Sequence, residues 1–286
     1  MFGFLNVYKP TGMTSHDVVA CLRRVTKIKQ IGHTGTLDPF AEGVLPICIG
    51  KATRLIEYLA DDKAYIATVQ FGKSTATYDL EGEVTSQSDK KITESELLGV
   101  IPDFDGEIEQ IPPIYSALKL NGKRLYEYAR EGKTVDIKPR KVFIEKIELL
   151  SFDEAAQSAE IYIKCSKGTY IRTIGHDIGQ KLECGAYLTK LKRAQAGDFI
   201  LKDAIPLESF TSKETVVENL TSPLEKLLLE KVIISDDEYE KIRHGMPISM
   251  REGLNSEAFI ILVYKDELAA MAYVFGESIK VKKVFL

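Results

Sequence analysis

The stretch GHTGTLDPFAEGVL, residues 32–45, is the most unusual part of the chain. Gly32 and Gly35 permit backbone angles that other residues avoid, and the threonines beside them can bind loop amides. Pro39 biases Asp38 toward an extended conformation, because a proline ring restricts the residue before it. The stretch is therefore predicted to hold one carboxylate in a fixed pose. By composition alone, the stronger interpretation is a plain turn between a helix and a strand.

A phosphate-binding loop is the other chemical interpretation of these glycines. It fails on spacing, because GHTGTLD matches neither GxxxxGKS/T nor GxGxxG. The four histidines form no HExxH motif and no cluster with cysteine, so a metal site is not expected. The four cysteines are far apart and include no CxxC pair, which indicates free thiols in a reducing compartment.

The composition is 44% hydrophobic and 28% charged over 286 residues, which is typical of a soluble globular protein of one large or two ordinary domains. No apolar run reaches the roughly eighteen residues of a membrane helix. The N-terminus is apolar but has neither a basic leader nor a cleavage site, so it is interpreted as a strand and not as a signal peptide. A cytoplasmic protein without membrane contact is predicted.

The net charge of −4 hides an uneven distribution along the chain. Lys119–Lys141 contains eight basic and three acidic residues, and Lys164–Arg193 contains seven basic and two acidic ones. Ten acidic residues lie within Asp79–Glu109. The pattern fits one basic face that meets nucleic acid and one acidic face, but a solvated surface of mixed charge explains it equally well.

Hydrophobic periodicity predicts an α+β protein whose strands occur in groups. Lys63–Phe71 alternates as a half-buried strand does, and Val142–Leu150 and Ala159–Ser166 look like paired strands. Three short strands near the C-terminus, with a hairpin at Lys265–Asp266, predict a small β-rich domain from about residue 229 onward. Helices are predicted after Thr14 and over Lys51–Ala60, Leu125–Arg130, Thr169–Leu182 and Ser222–Glu230.

Residues 32–45, with GKATR at residues 50–54, closely resemble the signature of the tRNA pseudouridine-55 synthase family. Other motifs of that family follow in the family order and cover most of residues 3–200. They are KPTGMTS at residues 9–15, KAY at 63–65, TYDLEG at 77–82, QIPPIYSALK at 110–119, SKGTYIR at 166–172 and LTKLKRAQAGDF at 188–199.

The resemblance implies the pseudouridine synthase fold, with a central, mainly antiparallel mixed sheet in residues 1–228. A weaker resemblance, resting on position, size and strand content, implies a small PUA-like RNA-binding domain in residues 229–286. The implied activity is isomerisation of uridine 55 in the TΨC arm of tRNA: the base is flipped out, its N-glycosidic bond is cleaved and uracil is re-attached through C5. No cofactor or metal is implied, and a monomer would act on tRNA without a protein partner.

The resemblance also assigns roles to residues. Asp38 would be the catalytic carboxylate, acting by attack on C1′, by attack on C6 or through a glycal intermediate. Tyr65 would stack on the target base and serve in proton transfer, while Arg172 would pair with Asp38 and keep it ionised. Tyr170 would line the pocket. Each of these residues has a plainer interpretation as a turn, surface or core residue when it is taken alone.

Four further residues are expected to meet RNA. His33 resembles the family residue that inserts where the flipped base has left the stack. Lys9 would lie near the entrance, where its charge suits a phosphate. Tyr115 and Lys119 belong to a segment, residues 110–136, in which basic and aromatic residues alternate as in loops that grip RNA. An amphipathic helix whose tyrosines face the core is the alternative for that segment.

Three other functions remain open from the sequence. A guide-RNA-dependent relative would carry the same catalytic motifs, although this chain lacks basic tails and long extensions. A non-catalytic RNA-binding protein would need the basic surface but not Asp38, Tyr65 and Arg172 together. An enzyme with a phosphate ligand in the glycine loop would be revealed by nucleotide binding.

Overall fold

The computed structural model describes residues 1–255 and 257–285 and contains two main sheets. Its strands, in chain order, are β1 (Gly3–Lys9), β2 (Ile31–His33), β3 (Glu42–Ile49), β4 (Lys63–Phe71), β5 (Lys73–Thr75), β6 (Val84–Gln87), β7 (Gly106–Gln110), β8 (Lys119–Leu120), β9 (Lys123–Arg124), β10 (Arg140–Asp153), β11 (Ser158–Cys165), β12 (Ala186–Ala196), β13 (Phe199–Ile200), β14 (Ile205–Pro206), β15 (Glu230–Ile233), β16 (Ile248–Ser249), β17 (Phe259–Tyr264), β18 (Glu267–Phe275) and β19 (Ser278–Val284).

The helices lie against these sheets or connect their strands. The α-helices are α1 (Ser15–Thr26), α2 (Glu94–Val100), α3 (Leu125–Arg130), α4 (Ile171–Lys181), α5 (Lys213–Glu218), α6 (Pro223–Lys226) and α7 (Asp236–Arg243). Short 3₁₀ helices span Gly50–Tyr58, Ile101–Phe104, Leu201–Asp203 and Leu207–Ser209.

The larger sheet has ten strands in the order β14-β1-β3-β12-β4-β11-β10-β7, with β2 beside β3 and β13 beside β12. Its neighbours run antiparallel, except that β1 and β14 are parallel and so are β3 and β12. The prediction of a central, mainly antiparallel mixed sheet is confirmed.

Strand β4 shows why alternating apolar residues predicted a half-buried strand correctly. Tyr65, Ala67, Val69 and Phe71 are buried, and the residues between them are only half-buried. The buried set forms one apolar cluster with Ile171, Ile174 and Ile178 of α4, which lies across the sheet. Because alternate side chains of a strand share a face, the period of two places this whole set under the helix.

Two glycines let α4 lie close to the sheet. A Cβ atom on Gly179 would be 2.3 Å from the backbone nitrogen of Ala186, and one on Gly175 would be 2.7 Å from Cδ2 of Leu188. A larger residue would therefore push the helix away from β12. This close approach fixes the first turn of α4, which carries Arg172, against the middle of the sheet.

The smaller sheet has five strands in the order β15-β17-β18-β19-β16. It meets the larger sheet through an apolar cluster in which Phe4 and Phe199 pack with Met271 and Phe285. The second sheet begins at Glu230, beside the boundary that the sequence predicts at residue 229, and the β-rich C-terminal region fits a PUA-like domain. Ser256 and Leu286, which that predicted domain includes, lie outside the described residues.

Two helix predictions differ from the structure. The helix predicted over Ser222–Glu230 is only the single turn α6, because Leu227 is extended and buried in the cluster between the sheets. Packing of one apolar side chain therefore overrides the helical pattern. The helix predicted over Lys51–Ala60 is a 3₁₀ helix, Gly50–Tyr58.

Candidate active site

A cavity of about 420 Å³ opens on the larger sheet, between the residue 34–38 loop and the first turn of α4. It brings together four residues that the sequence singled out and that are far apart in the chain: Asp38, Tyr65, Tyr170 and Arg172. Ser116–Leu118, Arg140 and Arg193 also line it. The motifs quoted above therefore converge on one concave site, which is how ligand sites are usually built.

Asp38 and Arg172 form a two-point ion pair on the cavity wall. Nε of Arg172 is 2.9 Å from Oδ2 of Asp38, and Nη2 is 3.3 Å from Oδ1. The fork of the guanidinium matches the two carboxylate oxygens, which fixes the orientation of the carboxylate as well as its position. The Asp38 side chain remains 35% exposed, so it also faces the cavity.

Arg172 is itself held rigidly, with its side chain only 5% exposed. Nη1 donates to the carbonyl of Thr77 at 2.8 Å and lies 3.3 Å from Oδ2 of the buried Asp79, while Nη2 donates to the carbonyl of Tyr115 at 3.0 Å. The guanidinium therefore meets two carboxylates and two carbonyls, which together offset the loss of hydration of a buried cation.

Gln110 fixes the start of α4 below this arginine. Its side-chain amide donates to the carbonyl of Tyr170 at 3.0 Å and accepts from the amide of the same residue at 2.8 Å. The first turn of a helix has free backbone groups, and no side chain of the N-cap residue Tyr170 caps this one. The two bonds of Gln110 orient Tyr170 and hence Arg172, two residues later.

Ser15 holds the loop that carries Asp38 through hydrogen bonds to the backbone of Leu37. The hydroxyl of the buried Ser15 accepts from the amide of Leu37 at 2.8 Å and also lies 3.2 Å from its carbonyl oxygen. Ser15 is the first residue of α1, whose N-cap Thr14 forms a capping box with Asp17. The N-terminal motif thus positions the loop that carries Asp38 through the start of α1.

The structure corrects the expectation that Lys9 meets an RNA phosphate at the entrance. Lys9 is fully buried, and its ammonium donates to the carbonyls of Pro10, Met13 and Pro39 at 2.8, 2.7 and 3.3 Å. Burial lowers the pKa of Lys9 to about 8. The residue ties the end of β1 to the loop beyond Asp38, which a motif alone could not reveal.

Opposing effects set the charge of Asp38. Burial raises the pKa of its carboxyl, the Arg172 cation lowers it, and the nearby Asp79 carboxylate raises it. The net direction is a pKa above the ordinary carboxyl value. A carboxylate with a raised pKa is a stronger base than one with the ordinary value, and the Arg172 cation favours its ionised form.

Tyr65 lies on β4 with only 8% of its surface exposed, and part of that surface lines the cavity. Burial raises the pKa of its hydroxyl. Tyr170 also lines the cavity, and the guanidinium carbon of Arg140 lies 4.7 Å from the centre of its ring. Two aromatic rings in one cavity suit a planar base.

The other predicted RNA contacts lie outside the cavity lining. His33 is half-buried at the end of β2, where burial lowers its pKa and keeps the ring neutral. Tyr115 contributes its backbone carbonyl to Arg172, and Lys119 is exposed in the β8–β9 hairpin. Their contact with RNA stays a prediction.

Two cavity residues, Arg140 and Arg193, are not among the site residues that the sequence predicts. Arg140 was seen only as one of a run of basic residues, and its position over Tyr170 depends on the fold. Arg193 lies within the LTKLKRAQAGDF motif and is 1% exposed. Its placement needs Gly43, because a Cβ atom there would lie 2.4 Å from the Arg193 carbonyl oxygen. Gly43, which belongs to the stretch of residues 32–45, was the one sign in the sequence that another backbone segment passes close by.

Within residues 1–255 and 257–285, no group of three or more His, Cys, Asp or Glu side chains is placed to hold a metal ion. In the same part of the chain, no helix is long and apolar enough to cross a membrane.

Two family models match the chain. Residues 23–171 match the TruB family pseudouridylate synthase (N terminal domain), and residues 172–232 match the tRNA pseudouridylate synthase B C-terminal domain. The fold and the site are thus those of a pseudouridylate synthase, an RNA-modifying isomerase. The chain belongs to the TruB family.

Relatives named tRNA pseudouridine synthase B support the assignment over the whole length. The protein of Carboxydothermus hydrogenoformans is 42% identical, covering 100% of this chain and 99% of its own. That of Clostridium perfringens (strain SM101 / Type A) is 47% identical over 87% of this chain and 85% of its own. That of Staphylococcus haemolyticus is 41% identical over 99% of both.

Solved structures show the same architecture. A chain of a Cbf5-Nop10-Gar1 complex superposes with a TM-score of 0.74 at 27% identity, covering 100% of this chain and 85% of its own. A chain of an H/ACA RNP bound to a substrate RNA containing 2′-deoxyuridine gives a TM-score of 0.73 at 26% identity, with the same coverage. The predicted pseudouridine synthase fold is confirmed.

Proposed function

We propose that this chain isomerises uridine 55 in the TΨC arm of tRNA to pseudouridine, with Asp38 as the catalytic carboxylate. The observation that carries the proposal is the Asp38 carboxylate, which lines a cavity and is held at two points by a buried arginine. Relatives of similar length and at least 41% identity are named tRNA pseudouridine synthase B, which supports tRNA as the substrate.

The reaction breaks the N1–C1′ bond of uridine and forms a C5–C1′ bond; C5 loses a proton and N1 gains one. Asp38 acts by attack on C1′, by attack on C6 or through a glycal intermediate, and each route requires the ionised carboxylate. A carboxylate next to C1′ also stabilises positive charge that grows there, as in glycoside cleavage. Arg172 keeps that charge available and directed.

The aromatic residues would hold the base while it turns. Tyr65 and Tyr170 line the cavity and offer ring faces on which uracil stacks. The target uridine is stacked within a folded arm, so it must be flipped out, at a cost of a few kcal/mol. His33 lies beside the cavity-lining Thr34, and its neutral ring can fill the place left in the stack.

Two surfaces would bind the rest of the tRNA. The β8–β9 hairpin and α3 carry Lys119 and a stacked set in which the Lys123 ammonium lies 4.9 Å from the centre of the Tyr128 ring. The smaller sheet exposes Phe275, with the Lys280 ammonium 3.8 Å from the centre of its ring. Cations beside aromatic rings suit single-stranded and looped RNA.

We further propose that the chain acts in the cytoplasm as a monomer without a guide RNA or protein partner. The solved neighbours are parts of a Cbf5-Nop10-Gar1 complex and an H/ACA RNP, so guide-dependent action is the alternative within the class. The full-length similarity to proteins named tRNA pseudouridine synthase B favours stand-alone action.

The test is tritium release from an unmodified tRNA transcript labelled at uracil C5, with the purified chain alone. The proposal expects one tritium released per tRNA and none when position 55 of the transcript is cytidine. Release from other uridines would contradict the U55 assignment. Binding without release would favour an RNA-binding protein or a guide-dependent enzyme.

A further inference from the structure

The rings of Tyr78 and His176 stack on each other outside the cavity lining. Their centres are 3.8 Å apart and their planes differ by 13°. His176 lies on α4 one turn after Arg172, so the two side chains share a face of the helix. Burial raises the pKa of Tyr78 and lowers that of His176, so both rings are neutral at pH 7. An uncharged aromatic pair therefore connects the turn of residues 77–79 to the helix that carries Arg172.

Tyr78 has an unusual backbone conformation for a bulky residue. Its φ angle is 62°, in the left-handed region that glycine and asparagine favour. The amide of Tyr78 donates to the carbonyl of Thr75 at 3.2 Å, and its carbonyl accepts from the amide of Leu188 at 3.0 Å, so this backbone is fixed. A tyrosine in this conformation costs conformational free energy that a glycine would not cost. The stack on His176 is the side-chain contact that offsets this cost.

The same turn supplies two of the four groups that Arg172 meets. Nη1 of Arg172 donates to the carbonyl of Thr77 at 2.8 Å and lies 3.3 Å from Oδ2 of Asp79. These two residues directly precede and follow Tyr78, so a shift of Tyr78 moves both acceptors. While the turn holds Nη1, the other two nitrogens of the guanidinium face Asp38. The position of the turn therefore sets the orientation of the guanidinium, and through it that of the carboxylate.

We propose that Tyr78 and His176 are positioning residues for the Asp38 carboxylate. Their stacked rings hold the turn of residues 77–79 against α4, and that turn directs the Arg172 guanidinium toward Asp38. Neither ring lines the cavity, so both act through Arg172 and not on the base. The inference rests on the proposed isomerisation, in which Asp38 is the catalytic carboxylate.

The first test separates the ring of Tyr78 from the backbone of the turn. Tyr78→Gly removes the stack, but a glycine adopts a φ of 62° without strain, so the turn can keep its shape. We expect single-turnover isomerisation at saturating tRNA to slow about tenfold, while RNA affinity changes by less than about twofold. Tyr78→Phe, which keeps the ring, should retain the parent's rate. A parental rate in Tyr78→Gly would overturn the inference.

The second test asks whether the ring acts through Arg172. In Asp79→Asn the turn already holds the guanidinium less firmly, because the ion pair with Arg172 is lost. Adding Tyr78→Gly to Asp79→Asn should therefore slow the reaction by less than about threefold, since changes that act through one contact are not additive. The same loss of about tenfold in both backgrounds would indicate independent damage to the fold, and would overturn the inference.

Tyr239→Ala is the matched control for the loss of an aromatic stack. Tyr239 of α7 stacks on Tyr264 of β17 with ring centres 3.8 Å apart and planes 21° apart, but this pair lies in the C-terminal region. The variant should isomerise tRNA at the parent's rate. A loss equal to that of Tyr78→Gly would show that the removal of any such stack slows the reaction, and would overturn the inference.

An NMR measurement without RNA tests the inference even if the parent shows no turnover, a result that would refute the proposed function. It follows the ¹H–¹⁵N resonance of Nε of Arg172, which lies 2.9 Å from Oδ2 of Asp38. We expect this resonance to shift or broaden in Tyr78→Gly but not in Tyr78→Phe. His176→Ala removes the same stack from the helix, should give the same shift, and serves if Tyr78→Gly does not fold. An unchanged resonance in either folded variant without the stack would overturn the inference.

Discussion

The cavity and the smaller sheet bury opposite kinds of side chain. Around the cavity, Lys9, Arg172 and Arg193 are buried with at most 4% of their surface exposed, and each donates to backbone carbonyls. The smaller sheet buries aliphatic residues such as Leu262 and Met271, and its described ion pairs are on the surface or part-buried.

The difference separates what the fold needs for stability from what the chemistry needs. Burying a cation costs more free energy than burying an aliphatic side chain of similar volume gains, unless every donor is satisfied. Within the described part of the chain, the fully or almost fully buried cations Lys9, Arg172 and Arg193 lie in the larger sheet and its connections, around Asp38 and Tyr65. The smaller sheet is stabilised by apolar burial, at roughly 25 cal/mol per Å².

Replacing Asp38 by asparagine should have the largest effect on catalysis. We expect the isomerisation rate to fall by at least about a thousandfold, because no route proceeds without the carboxylate, while RNA affinity changes little. Single-turnover rates and filter binding measure the two quantities. Asp177→Asn is the matched control, since burial raises the pKa of Asp177 to about 6 but the residue does not line the cavity. Equal losses in both variants would contradict the assignment.

Arg172→Lys should change the pH dependence of the reaction, because it weakens the ion pair with Asp38. A lysine cannot bind both oxygens of Asp38, so the cation lowers the carboxyl pKa less and that pKa rises further. The active form is ionised, so activity is lost as the pH falls through this pKa, and the acid limb of the pH–rate profile should move to higher pH. We expect a loss of about a hundredfold at pH 7. A parallel loss at every pH would refute this cause.

Met271→Ala should affect stability alone. The residue is fully buried where the two sheets meet, so its truncation should lower the free energy of unfolding by about 2 kcal/mol. Thermal melting measures the loss, and the rate per folded molecule should stay within about twofold of the parent. A large drop in that rate would show that the smaller sheet also orders the cavity.

Lys119→Gln should weaken RNA binding slightly. If the hairpin lysine meets one phosphate, the affinity should fall by about threefold and the slope of log affinity against log salt should decrease by nearly one unit. Filter binding at several salt concentrations measures both. An unchanged slope would remove Lys119 from the interface.

Lys9→Met should have the smallest effect on binding. The ammonium is buried on three carbonyls, so RNA affinity should change by less than about twofold and the salt slope should stay that of the parent. A slope reduced as in Lys119→Gln would restore the original expectation that Lys9 meets a phosphate.

Sequence patterns predicted the strands and helices that are determined by their own residues. The alternation of β4, the pairing of β10 with β11 and the helix α3 all appear where the sequence placed them. Single turns such as α6 could not be predicted, because burial of Leu227 between two sheets is decided by distant residues.

The site was predictable through resemblance rather than through spacing. Asp38 and Arg172 lie 134 residues apart, and no periodicity links them, yet their motifs indicated the pair that the structure shows. The motifs indicated which residues belong to the site, but not how deeply each side chain is buried or which residues it contacts. The burial of Lys9 and the place of Arg193 opposite Tyr65 follow from strand register, which only the assembled sheet defines.

Photocrosslinking gives the most direct test of the claim that the target base enters the cavity and not the smaller sheet. The Asp38→Asn variant would be bound to a tRNA with 4-thiouridine at position 55, irradiated, digested and mapped by mass spectrometry. We predict adducts within residues 34–38, 63–65 or 166–172. Adducts confined to residues 259–284 of the smaller sheet would contradict it.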